Sequence, residues 1–384
     1  MRIGIITVQK APNYGAELQC YALYKALSDM GYDCEVIDLC RPYHKEFKKD
    51  KRFKVYSNLS RWTFKYYWVN TRPIRSWIKE NIFGKKNYLK EFNLRYQALL
   101  LNRNIKFEQF ESRIAFSRKY SSIAELYKNP PQYDVYITGS DQLWNPTQPY
   151  CLEPYFLTFV NNGGKRVSYA TSIGVSTLRD NIRDDFKKWL AGYNKISVRE
   201  DAAKEILKSV TNKEIEVLVD PTFLIDINHW KDIAVKPAES GYVFLFTLGY
   251  NELLFNKAQQ YAKTEGKKLI YRANDYRDYP SCNDTIGLLD MSPEEWLGYI
   301  CYADMIVTNS FHGSVFSILF HKSFRVMSTN NRGSRIYHLL EMCGCKDCYL
   351  IADEPVKNVF VNYKKIDEVI LKERKRAELY LSNL

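Results

Sequence analysis

At 384 residues the chain is too long for one ordinary core and suits two α/β domains. A hydrophobic content of 46% is ordinary for a globular protein, and the longest apolar runs, 3–8 and 315–320, fall far short of the roughly twenty residues of a spanning helix. The net charge of +12 is concentrated, since residues 41–120 hold 21 Lys and Arg against 6 Asp and Glu and the remainder is slightly acidic.

Residues 2–8 read as a buried parallel strand, followed by a turn at Pro12-Asn13-Tyr14-Gly15. Leu18, Ala22, Ala26 and Met30 then recur at helical spacing until Gly31, and a strand at 33–39 completes a βαβ unit. The basic stretch at about 41–120 comes next, with Trp62, Trp68 and Trp77 among its many rings. Cations interleaved with indoles and phenols suit an anionic membrane interface. Single-stranded nucleic acid uses the same composition, and a structural insertion with its own small core is the third reading. A strand at 133–138 runs into Gly139-Ser140-Asp141-Gln142-Leu143-Trp144-Asn145-Pro146. Strands at 166–171, 195–198 and 216–219 follow, with Ser172-Ile173-Gly174, Arg199-Glu200 and Asp220-Pro221-Thr222 just past their ends.

Residues 226–240 lack a period and contain Pro237, which makes them a linker between a first domain, 1–225, and a second, 241–384. The last helix is free to pack back on the first domain. In the second domain the alternation restarts, with strands at 242–248, 267–271, 304–308 and 323–327 and helices near 252–265, 292–303 and 313–320. Ser292-Pro293-Glu294-Glu295 is a capping box with Pro at the first helical position. The fold class is therefore α/β, two doubly wound Rossmann-like domains facing a cleft.

Nine cysteines without an export signal argue for reduced thiols and a cytoplasmic protein. Cys343, Cys345 and Cys348 are spaced like zinc ligands, but no second cluster completes a tetrahedral set, and a helix end capped by Gly344 is the simpler reading. No metal and no cofactor are expected. G-x-G-x-x-G, G-x₄-G-K-[ST], H-E-x-x-H and G-x-S-x-G are all absent, which leaves dinucleotide, P-loop, zincin and serine-hydrolase chemistry without support.

Thr308-Asn309-Ser310-Phe311-His312-Gly313 stands out, because it sets a histidine where a buried strand hands over to a helix. Such corners gather anion-suited N–H groups in open α/β sheets. The order of Asn13-Tyr14-Gly15, Gly139-Ser140-Asp141-Gln142-Leu143-Trp144-Asn145, Ser172-Ile173-Gly174, Ser197-Val198-Arg199-Glu200, Asp220-Pro221-Thr222 and Ser310-Phe311-His312-Gly313 resembles the polysaccharide pyruvyl transferase family. The likeness covers nearly the whole chain except the basic insertion. It implies a GT-B-like fold and transfer of the pyruvyl unit of phosphoenolpyruvate onto two hydroxyls of a sugar, as a cyclic ketal with release of phosphate.

In that chemistry His312 is expected as the general acid and base. The resemblance implies Arg199 as a donor fork for phosphoenolpyruvate, with Ser310 standing where the family often has arginine. Ser334 and Arg335, at the start of the next helix after Asn331-Arg332-Gly333, are the expected replacement. Asn13, Tyr14, Gly15, Asp141, Gln142, Trp144 and Asn145 are the expected acceptor side, with Trp144 as a platform for a sugar ring; a buried Trp beside loop-capping Asp and Asn is the alternative. The basic aromatic insertion then suggests a lipid-linked acceptor held peripherally at the inner membrane face, and no nucleic acid. Competing readings are a GT-B glycosyltransferase using a nucleotide sugar and a non-catalytic nucleic-acid-binding protein.

Overall fold

The computed structural model describes residues 1–50, 52–57, 86–273, 284–328 and 333–384. Trp62, Trp68, Trp77, Asn331 and Arg332 lie outside the described residues. β1 (Arg2–Ile6), α1 (Tyr14–Asp29) and β2 (Asp33–Val36) form the opening βαβ unit. α2 (Lys86–Glu111), α3 (Ile123–Lys128), β3 (Val135–Asp141), β4 (Lys165–Thr171), α4 (Asp180–Leu190), β5 (Ile196–Val198), α5 (Asp201–Lys208) and β6 (Ile215–Val217) follow. After α6 (Ile227–Ile233) come β7 (Tyr242–Phe246), α7 (Glu252–Thr264), β8 (Lys268–Arg272), β9 (Thr285–Leu288) and α8 (Pro293–Cys301). β10 (Met305–Thr308), α9 (Phe311–Leu319), β11 (Phe324–Val326), α10 (Gly333–Met342) and α11 (Tyr363–Ser382) complete the described elements.

The first sheet runs β2-β1-β3-β4-β5-β6 and the second β11-β10-β7-β8-β9, all pairs parallel. Each is a doubly wound Rossmann-like sheet, and the two face one another in a GT-B-like layout. Their chain order reverses between β1 and β3 and between β7 and β10, so the loops after those strands diverge and open a crevice. The local reasons are visible in the caps. Asn13 Oδ1 accepts from Gly15 N at 3.1 Å to start α1, and Ser292 and Glu295 exchange both hydrogen bonds of the capping box at 3.0 and 2.7 Å. β7 is buried at every residue, as a central parallel strand covered on both faces must be.

Among its described residues the basic insertion builds no separate core. Its helix α2 packs on α8, where Phe107 meets the Tyr14 ring at 5.1 Å and Lys106 Nζ pairs with Glu295 Oε2 at 2.8 Å. The chain then returns along the first sheet, with Val36 N donating to Ala115 O at 2.8 Å and Cys40 N to Tyr120 O at 2.9 Å. Strand β9 is absent from the sequence reading, because four residues containing Gly287 carry too short an alternation to register as a strand. β1 and β2 end sooner than their apolar runs, since Val8 and Leu39 already belong to the strand-end loops.

α11 crosses back to the first domain. Arg374 Nε donates to Phe223 O at 2.7 Å and Tyr380 OH to Ser168 O at 2.9 Å. On the other side the Tyr14 ring stacks on Trp296 at 5.5 Å, joining α1 to α8 across the interface. α8 itself is pressed against the linker: a Cβ on Gly298 would lie 1.7 Å from Val235 O. Gly298→Ala is expected to lower stability by about 1–3 kcal/mol through overpacking, read as an earlier thermal unfolding transition. An unchanged transition would mean that the linker yields freely.

Candidate active site

The strand ends supply a buried cluster of charge. Arg199, the residue after β5, is 3% exposed and donates from Nη1 to Asp220 Oδ2 at 2.6 Å and from Nη2 to Asp141 Oδ1 at 3.3 Å. Glu200 Oε2 stands 3.9 Å from Arg199 Nε, while Glu200 Oε1 accepts from the Ser172 hydroxyl at 2.7 Å. Asp220, just past β6, uses its other oxygen to accept from Thr222 N at 3.1 Å and Thr222 Oγ1 at 2.8 Å. One carboxylate thus orients the guanidinium and caps its own turn.

From the second domain, the loop after β10 brings His312 to the same point. Thr308 Oγ1 donates to Phe246 O at 2.6 Å, Asn309 Oδ1 accepts from Leu248 N at 2.7 Å, and Ser310 Oγ caps α9 by accepting from Gly313 N at 3.3 Å. These bonds lock the β7 and β10 ends together and fix the first turn of α9. His312 Nε2 then lies 3.4 Å from Asp220 Oδ2 across the cleft, without hydrogen-bond alignment. The ring is 7% exposed, with Asp220 facing Nε2, the backbone of Gly15 against Nδ1 and the Phe311 ring edge-on at 5.2 Å.

Burial pushes the Asp220 carboxyl up, yet His312 and then Arg199 more than offset it and hold it well below the usual carboxylate range. Asp141 is likewise lowered, against its burial, by Arg199, His312 and Arg335. Arg199 is raised despite burial because Asp220, Asp141 and Glu200 surround it. Both acids are therefore ionised and the guanidinium is charged. Three polar atoms of this cluster, Arg199 Nε, Glu200 Oε2 and His312 Nε2, are buried and make no hydrogen bond among the described residues. Protein interiors rarely leave such atoms unsatisfied, and three together mark a place built for a ligand.

Arg335, in the first turn of α10, adds a second guanidinium. Its Nη2 reaches the Gln142 side chain at 2.6 Å when the amide oxygen faces it, and both Arg335 and Arg199 lie over the Phe311 ring, at 5.9 and 4.3 Å. A first-turn cation opposes the helix dipole, so its placement at the crevice favours an anion there. The site thus pairs two forked cations with an imidazole beside a carboxylate, a set able to hold a small anion and to move a proton next to it.

A profile of the family described as polysaccharide pyruvyl transferase matches residues 13–331. The chain belongs to that family. Membership makes it a pyruvyl transferase of polysaccharide biosynthesis in general terms. No curated protein matches the chain. Among solved structures, it is similar to the UDP-GlcNAc 2-epimerase from Methanocaldococcus jannaschii, at 12% identity and a TM-score of 0.44 over 97% of this chain and 92% of the other. The UDP-GlcNAc 2-epimerase from Neisseria meningitidis gives 8% identity and 0.45 over 100% and 93%, and UGT89C1 of Arabidopsis thaliana 11% and 0.43 over 99% and 92%. The fold is read from the two sheets themselves.

Within this pyruvyl transferase the sequence-derived residues separate into two groups. His312, Arg199, Asp141, Gln142, Arg335, Ser310 and Gly15 meet at the cleft. Asn13 is an exposed helix cap beside them, and Ser334 is exposed on the first turn of α10. The other group does not reach it. Trp144 is 0% exposed, stacked on Phe156 at 4.7 Å with Nε1 donating to Tyr155 O at 2.9 Å, so it cannot serve as a sugar platform. Asn145 is buried, ties its own loop through Thr147 and stands behind Gln142, its side chain 3.1 Å from that amide, and Tyr14 is committed to Trp296 and to Met291 O at 3.1 Å. These correct the expected acceptor side: large rings and amides after a strand often close the core beneath a loop.

Asp220, Glu200, Ser172 and Phe311 are the members that sequence reasoning left out of the site. Their motifs were visible, but a carboxylate past a strand reads first as a cap, which Asp220 also is. Among the described residues no group of three His, Cys, Asp or Glu is placed to hold a metal ion, and Cys343, Cys345 and Cys348 are buried free thiols at the end of α10, where Gly344 has φ +63°.

Gly15 shows how closely the domains are fitted. A Cβ there would fall 2.2 Å from His312 Nδ1, so the first turn of α1 can approach the imidazole only without a side chain. Gly15→Ala is expected to displace the ring and cut turnover by about 100-fold with the fold intact, since misplacement by an ångström costs that much. Full activity in that variant, measured beside an unchanged unfolding curve, would show that the imidazole has room to spare.

Proposed function

We propose that this protein moves the pyruvyl group of phosphoenolpyruvate onto two hydroxyls of a sugar, forming a cyclic ketal and releasing phosphate. The observation that carries the reading is the trio of unsatisfied buried atoms around Arg199 and His312 in a chain of this family. Arg199 and Arg335 suit the phosphate and carboxylate oxygens of the donor, with Ser310 and Ser334 at the adjoining helix starts. His312 delivers a proton to the methylene carbon, which becomes a methyl group as C2 turns electrophilic. One sugar hydroxyl adds to C2 and gives up its proton, phosphate leaves with the electrons of the C–O bond, and the second hydroxyl closes the ring. The two hydroxyl protons balance the one taken up at carbon and the one carried off by phosphate. Asp220, held ionised, stabilises the imidazolium whenever His312 carries the extra proton. No metal or cofactor enters the scheme.

The acceptor is proposed to be lipid-linked and the protein to sit peripherally at the inner membrane face, supported by the 21 cations and interleaved rings of residues 41–120. Among the described residues no helix is long and apolar enough to cross a membrane. Exchanging several lysines of that segment for glutamate should weaken binding to anionic vesicles, and equal binding would remove this part.

The decisive experiment incubates the protein with phosphoenolpyruvate and glycans and follows phosphate and glycan mass. Acceptor-dependent phosphate release, with a glycan heavier by one pyruvate less one water, is the expected result. Consumption of a nucleotide sugar instead, or salt-sensitive binding to single strands without turnover, would replace it.

A further inference from the structure

A cavity of about 720 Å³ runs outward from Arg199, Asp220 and Phe311 along the free edge of β6. Its walls are α5, α10 and α11, so it lies to the side of the crevice between the two switch points. β6 is the last strand of its sheet, and Leu218 N donates to Val198 O at 2.9 Å on the paired side. Amides alternate along a strand, so that of Val217 points to the open side, toward the cavity.

The lining has an unusual charge balance. It holds five Lys and Arg and five Asp and Glu, so no net field selects a cation or an anion. Lys204 on α5 and Glu216 on β6 face it with no ion pair or hydrogen bond of their side chains among the described residues. A surface offering ammonium donors, carboxylate acceptors and a strand amide, without net charge, is matched by a ligand whose groups each donate and accept. Sugar hydroxyls do so. A phosphate would meet the carboxylates, and a peptide strand would find an edge of only three residues. The volume lies within the range of small-ligand sites and is ample for two or three hexose rings.

We propose that this side groove seats a neutral oligosaccharide, the acceptor, with its reacting hydroxyl pair at the Arg199–Asp220 end. The inference rests on the proposed pyruvyl transfer and names where its second substrate lies. Asp220 lines the groove and also faces His312 Nε2 at 3.4 Å, which links the inner end of the groove to the imidazole.

The test uses the full-length protein on an array of neutral di- to pentasaccharides, with phosphoenolpyruvate binding measured separately by calorimetry. Wild type should retain a subset of the neutral glycans, and both Lys204→Trp, which fills the groove from a partly exposed helix face, and the gentler Glu216→Ala should weaken them about tenfold or more. Phosphoenolpyruvate affinity should hold in both variants. Retention of no neutral glycan, or retention equal in all three proteins, overturns the groove while leaving the donor site standing if phosphoenolpyruvate still binds. Loss of phosphoenolpyruvate binding in the wild type itself would instead remove the proposed function.

Discussion

Asp220→Ala is expected to destabilise the protein by about 3–5 kcal/mol, because it strips the shortest partner from a buried guanidinium and leaves that charge poorly compensated. Arg199 Nη1 sits 2.6 Å from Asp220, whereas its remaining partners, Asp141 and Glu200, stand at 3.3 and 3.9 Å. The same carboxylate caps the turn at Thr222, so the loss is compounded locally. The pH dependence follows from the direction of the shift. An acid whose native pKa lies below its unfolded value of about 3.9 contributes stability that is fully present above that value and is lost as pH falls toward the native one. Denaturant unfolding at pH 7 should therefore separate wild type from variant widely, and the gap should narrow at pH 3. A gap of equal width at both would mean that Asp220 acts through packing and the cap alone.

His312→Gln should lower turnover by about 10²–10⁴-fold in protein that still folds. Glutamine is polar and of similar reach, and His312 Nε2 makes no hydrogen bond among the described residues whose loss would unfold the chain. The proton on its way to the donor carbon then has no carrier, while the arginines still hold the anion. Single-turnover phosphate release should fall by that factor with the affinity for phosphoenolpyruvate retained. A turnover within about tenfold of wild type would place the proton donor elsewhere.

The two roles, anchor and proton carrier, meet at one oxygen, Asp220 Oδ2. It bridges the domains electrostatically, so the geometry of the imidazole depends on how the lobes are docked. Tyr14 against Trp296 and Gly15 against His312 set that docking from the side of α1, and α11 sets it from the other. Exchanges at these positions are expected to act on catalysis through the angle between lobes and only secondarily on either lobe's own stability.

Much of the site could be read from local signals. Ser310 before Phe311-His312-Gly313 announced a helix cap, and the serine hydroxyl accepts from Gly313 N at 3.3 Å. Arg199 was placed by the short apolar run before it, and it does follow β5 directly. What misled was burial. Trp144 follows β3 in the same loop as Gln142 and Tyr14 opens α1, yet both face the core, and nothing in the order of residues tells one side of such a corner from the other. The helix of the basic insertion was illegible for a related reason: its role is set by α8, about two hundred residues later in the chain.

The sequence by itself determined the alternation of strands and helices, the caps, the polar strand ends and hence the α/β class and the family likeness, because each of these depends on neighbours within a few residues. The tertiary structure alone decided which strand ends meet. Asp220, Arg199 and His312 are brought together by the order of strands in the first sheet and by the docking of the second upon it. Such distant encounters are chosen by the burial of whole faces, which no local stretch encodes.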